Sequence, residues 1–165
     1  MDKQFQTIHE LMEQFGRSGE VHWIGVRPDR RVGLTSVDFV EAIAEFGLEG
    51  DHYQKKGGNR QVTLIQYEHL NTVGSYLDKS TIDPGQTRRN IVTRGINLLA
   101  LKDKKFLVGE VMLEYSGECH PCSRMEENLG NGGYNAMRGH GGITAKVLLG
   151  GRISVGDQVK PILEK

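Results

Sequence analysis

The chain contains little cysteine, proline or tryptophan: two, four and one residues, respectively, among 165. A chain of this length can bury a hydrophobic core within one domain without disulfide bonds. No apolar run is long enough to span a membrane as a helix. We therefore expect a single domain over residues 1–165 with no membrane segment.

An excess of either charge is also lacking, since lysine plus arginine and aspartate plus glutamate each total 21. This balance excludes bulk electrostatic binding to nucleic acid or to an anionic membrane surface, so any anion site must be local. Residues 1–6 lack the basic and apolar regions of a secretion signal. We expect a cytoplasmic protein whose cysteines are reduced.

Glycine is abundant, with 22 residues that cluster in 47–58 and 130–156 and indicate many turns. Helical spacing of apolar residues predicts a helix over 3–15, packed on the body, within an N-terminal extension over 1–19, and a second helix over 66–77. Strand-like runs rich in β-branched and aromatic residues occupy 21–26, 36–40, 61–65, 90–92, 105–115 and 143–163. Without regular βα alternation, they predict a mainly β (α+β) fold, a twisted, largely antiparallel β-barrel with a few peripheral helices.

Both cysteines lie in one short segment, Cys119-His120-Pro121-Cys122. A thiolate is the best soft-metal ligand and the best nucleophile that a protein offers, so this segment could bind a metal or react. The same spacing also fits a redox pair, half of a zinc site, or two small buried side chains. The thioredoxin motif fits poorly, because it belongs at a strand-to-helix turn in a parallel βαβ unit. A zinc site would need His120 and His140 at spacings unlike those of zinc fingers, and it stays open.

Two basic segments could hold an anion. The glycine-rich loop around Lys55 and Lys56 enters a strand at Arg60, and its N–H groups could cradle phosphate, although a solvated turn explains it better. Arg88 and Arg89 lie before another strand, where guanidinium groups suit bidentate contacts to phosphate or to the edge of a pterin. Trp23 and the tyrosines are expected to pack in the core or across strands, and we assign them no role.

An ordered set of motifs resembles the MOSC family, named for the C-terminal domain of molybdenum cofactor sulfurases. The motifs are Gly47-Leu48-Glu49-Gly50-Asp51-His52, Arg60-Gln61-Val62, Pro84-Gly85-Gln86-Thr87-Arg88-Arg89-Asn90-Ile91, Cys119-His120-Pro121-Cys122 and Ile153-Ser154-Val155-Gly156-Asp157. The resemblance extends over about residues 20–160 and is strongest to the short, stand-alone bacterial members.

The resemblance implies a β-barrel that binds the molybdenum cofactor, a metal held by a pyranopterin dithiolene that bears a phosphate. Cys122 matches the family cysteine that acts as metal ligand or sulfur carrier, while Cys119 occupies a less uniform position. Asp51 and His52 match an acidic motif and could orient water or substrate, although Asp51 could equally cap a turn. The residues implied for phosphate and pterin contacts are Arg60, Arg88, Arg89, Asn90 and Arg124.

Two functions from different classes follow from this resemblance. In the first, the protein is an oxidoreductase that removes oxygen from N-hydroxylated compounds, with Cys122 as metal ligand. It would need a separate electron-transfer reductase, because the chain shows neither a dinucleotide fingerprint nor a four-cysteine cluster motif. In the second, Cys122 carries a persulfide, or the protein carries the cofactor, without turning over a small substrate. A relative that has lost cofactor binding is a third reading.

Overall fold

The computed structural model describes residues 6–53 and 55–163. The strands are β1 (Gly19–Val26), β2 (Thr35–Val37), β3 (Phe39–Ile43), β4 (Gly47–Leu48), β5 (Val62–Gln66), β6 (Ile91–Arg94), β7 (Lys105–Val108), β8 (Val111–Glu118), β9 (Ile143–Leu149), β10 (Gly151–Ser154) and β11 (Gln158–Ile162). The helices are α1 (Ile8–Met12), α2 (Tyr67–Tyr76), α3 (Ser123–Leu129) and α4 (Gly133–Met137), with 3₁₀ turns at Pro84–Thr87 and Leu98–Leu101. Within the described residues, no helix is both long and apolar enough to cross a membrane.

Seven of the strands close into a barrel in the order β1-β11-β7-β8-β9-β5-β6 and back to β1. Every pair around the ring is antiparallel except β5 with β6, which is parallel. Strand β1 pairs with β11 near its start, whereas β2 pairs with its last residues. The expectation of a mainly β barrel with peripheral helices is confirmed.

Strand β5 is buried on both faces, which explains why apolar residues occur on both of its faces rather than on one. Val62 and Leu64 belong to the cluster that fills the barrel, while Ile65 belongs to a second cluster formed with α2, α3 and α4. Burial of each such aliphatic side chain contributes about 1.5–3 kcal/mol. The helices therefore cover one wall of the barrel.

Strands β10, β3 and β4 form a separate antiparallel sheet. Its buried residues, Val40, Ala42, Leu48 and Ile153, belong to the same cluster as the barrel interior. The single strand expected over 36–40 is wrong, because the chain changes sheets at Asp38, from β2 beside β1 to β3 in the second sheet. The Asp38 carbonyl accepts a hydrogen bond from the Val155 N–H at 2.9 Å, and β3 then pairs with β10.

A βαβ unit, β5-α2-β6, accounts for the parallel pair, although the sequence pattern shows no regular βα alternation. The helix expected over 66–77 is confirmed as α2. After it, the 3₁₀ turn Pro84–Thr87 leads into β6. A parallel neighbour requires such a crossover, so this unit brings the 83–90 segment beside the start of β5.

The N-terminal helix is shorter than expected. It covers Ile8–Met12, and residues 3–5 of the expected range lie outside the described residues. The expectation that its apolar face packs on the body is wrong for Ile8, Leu11 and Met12, which are exposed. Phe15, beyond the helix, makes the contact with the core instead.

Candidate functional site

The two thiols differ sharply in their surroundings. Cys119 follows the end of β8 and is buried, with its N–H donating to the Gly142 carbonyl at 2.9 Å. Cys122 precedes α3 as its N-terminal cap residue and is exposed. Both cysteines are free thiols. Cys119 thus resembles a packed structural residue, whereas Cys122 is open to a ligand or reagent.

Arg89 fixes the backbone of the thiol segment. Its buried guanidinium donates to the carbonyls of Gly141 at 2.8 Å, Thr87 at 2.9 Å, Cys119 at 3.2 Å and His120 at 3.4 Å. Burial, the largest effect, lowers the pKa of Arg89 from its ordinary value, while nearby Cys119 acts in the opposite direction. The sequence-based prediction gave Arg89 a direct cofactor contact; the structure places its donors on the protein backbone.

Glycines allow the chain to return against this segment. A Cβ at Gly141 would lie 2.0 Å from the Cys119 carbonyl oxygen, and a Cβ at Gly142 would lie 1.9 Å from the Leu64 carbonyl oxygen. Gly142 also has a φ of 86°, a backbone conformation that residues with a side chain rarely adopt. The glycines before β9 therefore permit the backbone contacts that hold the thiol segment to β5.

A narrow polar cleft brings together four of the residues that the sequence predicted. Its lining consists of Arg27, Leu34, Asp51, Tyr53, Arg60, Thr63, Arg88 and Asn90. Its volume of about 10 Å³ admits about one water molecule, so a larger anion must lie at the mouth. We call it the arginine cleft.

Asn90 connects the strands beneath the arginine cleft. Its Oδ1 accepts from the Thr63 N–H at 3.2 Å and hydroxyl at 3.0 Å, while its Nδ2 donates to the Gly25 carbonyl at 3.2 Å. The side chain thus ties β6 to β1 and β5. Asn90, for which the family resemblance implied a contact to the cofactor, therefore also has a structural role.

Asp51 is the buried carboxylate of the cleft. It accepts hydrogen bonds from the N–H groups of Arg27 at 2.8 Å and Tyr53 at 3.3 Å. This matches the turn-capping alternative for Asp51 while leaving it at the cleft wall. His52 next to it is exposed, and its ring meets the Tyr53 ring edge-on at 5.4 Å.

Among the described residues, the three arginines of the cleft form no ion pair with a carboxylate. Arg27 and Arg88 both donate to the Arg30 carbonyl, at 3.2 and 3.1 Å, and the Arg60 guanidinium lies 5.1 Å from the Tyr53 ring centroid. The ion pairs of the described residues are Arg94–Glu20, Lys104–Glu13 and Arg152–Glu41, all elsewhere. Arg88 also has a φ of 60°, an unfavourable conformation of the kind that clusters at binding sites. The cleft is therefore electropositive and suited to an anion.

The thiol segment and the arginine cleft are neighbours. Arg89 donates to the carbonyls of Cys119 and His120, and its sequence neighbours Arg88 and Asn90 line the cleft. Besides burial, Cys119, Arg60, Cys122 and Tyr53 also influence the pKa of Arg89, as groups in its neighbourhood do. Arg89 thus connects the thiol segment to the arginine cleft.

Other sequence-predicted residues lie apart from the cleft lining. Arg124 is exposed on the first turn of α3, and Lys55 and Lys56 are exposed in their loop. Within the described residues, no three or more His, Cys, Asp or Glu side chains come together to hold a metal ion. Among the described residues, the thiol segment therefore lacks the further ligands that a zinc site would need.

Sequence reasoning missed Arg27, Thr63 and the tyrosine that stacks on Arg60. Arg27 directly follows β1 and lies outside the recognised motifs, and Thr63 is part of a buried strand, so only the tertiary structure brings them to the cleft. The polar position of Thr63 within an apolar strand was the one available signal.

A larger cavity of about 450 Å³ lies elsewhere, between the segment after α1 and strands β7 and β8. Its lining carries both signs of charge, including the Lys104–Glu13 ion pair, and it contains none of the predicted site residues. Burial raises the pKa of Tyr115 in its wall, with Glu118 and Asp103 acting in the same direction. Although this cavity is larger than the arginine cleft, we do not assign the candidate site to it, because it contains none of the predicted site residues.

Fold and site together define a class: a closed mixed β-barrel that presents an exposed thiol beside an arginine cleft. The family model described as the MOSC domain matches residues 49–160. The chain therefore belongs to the MOSC domain family, as the sequence motifs indicated.

Solved structures agree with this fold. The YuaD protein of Bacillus subtilis is similar with a TM-score of 0.77 and 16% identity, over 90% of this chain and 98% of that chain. YiiM of Escherichia coli gives a TM-score of 0.66 and 18% identity, over 88% and 71% of the two chains. YiiM of Geobacillus stearothermophilus gives 0.70 and 16%, over 88% and 75%. No curated protein sequence matches this chain.

Proposed function

We propose that this protein binds the molybdenum cofactor through Cys122 and the arginine cleft and reduces N-hydroxylated compounds. The observation that supports the proposal is the exposed Cys122 thiol in the segment that buried Arg89 holds, while Arg88, next to Arg89 in sequence, lines the arginine cleft. A soft metal and a phosphate at opposite ends of one ligand require such a donor set. The cofactor provides its own sulfur ligands, so one protein thiolate is sufficient for the metal.

The chain's own residues would divide the work of binding. Cys122 would hold the metal, while Arg60, Arg88 and Arg27 would neutralise the phosphate at the cleft mouth. Arg89 would act as a positioning residue by fixing the carbonyls of the thiol segment. When bound, the cofactor would supply a two-electron redox centre.

The reaction would break the N–O bond of the substrate, with uptake of two electrons and two protons and release of an amine and one water. The electrons would come from a separate reductase. His52, whose ring is exposed, would exchange protons with solvent at an imidazole nitrogen and could deliver one to the leaving oxygen. Asp51 would keep the Arg27 and Tyr53 backbone in place through its two hydrogen bonds.

The experiment is a measurement of molybdenum and pterin in protein expressed with molybdate in a host that makes the cofactor. We expect near-stoichiometric contents in the native chain and loss of molybdenum in Cys122→Ser. Cys119→Ser is the matched control, and it should retain the metal because Cys119 is buried. Native protein that carries neither molybdenum nor pterin would refute stable cofactor binding.

A sulfur carrier is the second candidate, favoured by the exposure of the free Cys122 thiol. A persulfide on Cys122 would be transferable without turnover of a small substrate. Cyanide-releasable sulfur on the native chain and Cys119→Ser, but not on Cys122→Ser, together with no reductive turnover, would favour this function over the reductase.

A further inference from the structure

The cavity of about 450 Å³ between the segment after α1 and strands β7 and β8 has no part in the proposed function. Its volume lies within the range of about 300–1,000 Å³ that is typical of small-molecule sites. The acidic residues of its wall are Glu13, Asp103 and Glu114, and the basic residues are Lys104 and Lys105. We call it the mixed-charge cavity.

Two of these charges neutralise each other. The Lys104 ammonium forms an ion pair with the Glu13 carboxylate, and the Lys104 side chain is only 11% exposed. Because the two opposite charges are in contact, their fields largely cancel outside the pair. In the part of the chain that the structure describes, Asp103, Lys105 and Glu114 form no ion pair. The cavity therefore offers a ligand two carboxylates and one ammonium.

Strand pairing places two of these free charges side by side. Lys105 on β7 lies directly opposite Glu114 on β8 and, on its other side, opposite Ile162 on β11. Directly opposed side chains lie on the same face of a sheet, with Cβ atoms about 4.5–5.5 Å apart. Lys105 and Glu114 thus present neighbouring opposite charges, which match the neighbouring α-carboxylate and α-ammonium of a free amino acid. Ile162 adds apolar surface beside them.

Tyr115 and Asp103 complete the wall. Tyr115 is half-buried and packs against the barrel core, so its ring offers a fixed surface to an aliphatic chain or to a cation. Burial, Glu118 and Asp103 raise the pKa of Tyr115 from its ordinary value, so the phenol is protonated at neutral pH and can donate a hydrogen bond. Asp103, two residues before Lys105, provides the second free carboxylate.

A ligand that complements these groups carries two cations and one anion. A simple anion would meet two carboxylates for a single ammonium, and a neutral compound would leave all three charges without a partner. A diamine could pair with both carboxylates but would be repelled by Lys105. A basic α-amino acid with an aliphatic side chain provides a partner for each of the three charges.

We infer that the mixed-charge cavity binds a free basic α-amino acid of the lysine type. Lys105 holds the α-carboxylate, Glu114 the α-ammonium and Asp103 the side-chain ammonium, while the methylene groups lie against Tyr115 and Ile162. The cavity shares no lining residue with the arginine cleft, and Cys122 does not line it, so this site is independent of the proposed function.

The test is isothermal titration calorimetry of the full chain with L-lysine and three analogues that each lack one charge. Cadaverine lacks the α-carboxylate, 6-aminohexanoate lacks the α-ammonium, and L-norleucine lacks the side-chain ammonium. We expect saturable binding of L-lysine and about tenfold weaker binding of each analogue, because each leaves one charged group of the cavity without a partner. Added salt should weaken the binding of L-lysine.

Substitutions assign each charge of the ligand to its partner. Lys105→Met should weaken L-lysine binding about tenfold, but it should not weaken cadaverine binding, since cadaverine has no carboxylate to lose. Glu114→Gln should have the same selective effect against 6-aminohexanoate, and Asp103→Asn against L-norleucine. Lys102→Met, which changes an exposed lysine outside the cavity lining, is the matched control and should bind L-lysine normally.

Three results would overturn the inference. The first is the absence of saturable L-lysine binding at millimolar concentrations. The second is cadaverine binding as tight as that of L-lysine, which would make the cavity a site for simple cations. The third is equal weakening of L-lysine and cadaverine by Lys105→Met, which would contradict the contact to the α-carboxylate.

Cys122→Ser separates this inference from the proposed function. The variant should lose molybdenum but bind L-lysine as the native chain does, because Cys122 does not line the cavity. Failure of L-lysine binding in a native chain with normal molybdenum content would reject the amino-acid site alone. Absence of molybdenum with normal L-lysine binding would reject the cofactor proposal alone.

Discussion

Arg89 and Arg88 are adjacent in sequence but differ in what they contact. Arg89 is buried and donates to four backbone carbonyls, whereas Arg88 donates to one and faces the arginine cleft. Arg89→Met should lower the free energy of unfolding by about 3 kcal/mol, because buried carbonyls lose their donors. Arg88→Met should cost less than about 1 kcal/mol. Urea denaturation of both variants measures the difference.

The same pair of variants can be followed by thiol labelling in the native state. Cys122 is exposed and should react in all chains, while buried Cys119 should react only when Arg89 no longer fixes the segment. One rapidly reacting thiol in Arg89→Met, as in the native chain, would contradict the role of Arg89 as a positioning residue.

Gly142 tests the close approach of the thiol segment to β5. Gly142→Ala combines an unfavourable φ of 86° with a contact of 1.9 Å to the Leu64 carbonyl oxygen. Gly139→Ala is the matched control, since Gly139 has a φ of 78° and no atom within 4 Å of the added Cβ. We expect Gly139→Ala to cost about 1–2 kcal/mol for the backbone alone. Gly142→Ala should cost a further 1–3 kcal/mol or so from crowding. Equal decreases in Tm for the two variants would show that the structure accommodates the contact at Gly142 without a further loss of stability.

At the scale of elements, Glu126 connects α3 to the start of α4. Its carboxylate accepts from the N–H groups of Gly132 at 2.6 Å and Tyr134 at 2.9 Å, and these bonds hold the pKa of Glu126 below its ordinary value. A carboxyl with a lowered folded pKa stabilises the fold above its unfolded pKa, and the stabilisation is lost as pH falls through the folded pKa.

The prediction for Glu126→Gln is therefore dependent on pH. Its Tm should be lower than that of the native chain at pH 7, and the gap should close as pH falls below about 4.5 through the lowered pKa. Glu127→Gln, an exposed neighbour on the same helix, should show no such convergence. A gap in Tm for Glu126→Gln that stays constant down to pH 2 would contradict the assigned role of the charge.

The scale of the whole molecule shows what the sequence could predict. Hydrophobic periodicity was sufficient for the barrel class and for α2, because both depend on local pattern and on burial. Periodicity could not predict the break between β2 and β3 at Asp38. There the chain passes from one sheet to the other, and the Asp38 carbonyl accepts a hydrogen bond from the Val155 N–H, far along the chain. The helical spacing near the N-terminus predicted a packed face that the structure leaves exposed.

The residues of the candidate site, too, could be predicted only in part from the sequence. Motif order indicated Cys122, Asp51, Arg60 and Arg88, which the structure places in the thiol segment and the arginine cleft. It could not distinguish Arg89 from Arg88, because only burial and hydrogen-bond partners separate them. Arg27 reaches the arginine cleft from the end of strand β1, so its contribution depends on how the barrel closes.

Barrel closure depends on a short pairing, which leads to the last prediction. Strand β1 meets β11 at Gly19 with Val159 and at Glu20 with Gln158, and the Val21 N–H then donates to the Asp157 carbonyl at 2.8 Å. Strands β8 and β9, by contrast, pair along most of their length. Opening the β1–β11 junction breaks fewer hydrogen bonds than separating β8 from β9, so it should occur without global unfolding.

Native-state hydrogen exchange can measure this difference in stability within the barrel. The Val21 amide should exchange at a lower opening free energy than the amides between β8 and β9, and its exchange should depend weakly on denaturant because little surface is exposed. Since β1 leads to Arg27, such opening would also loosen the arginine cleft. An equal opening free energy and equal denaturant dependence for both sets of amides would instead mean that the barrel opens only by complete unfolding.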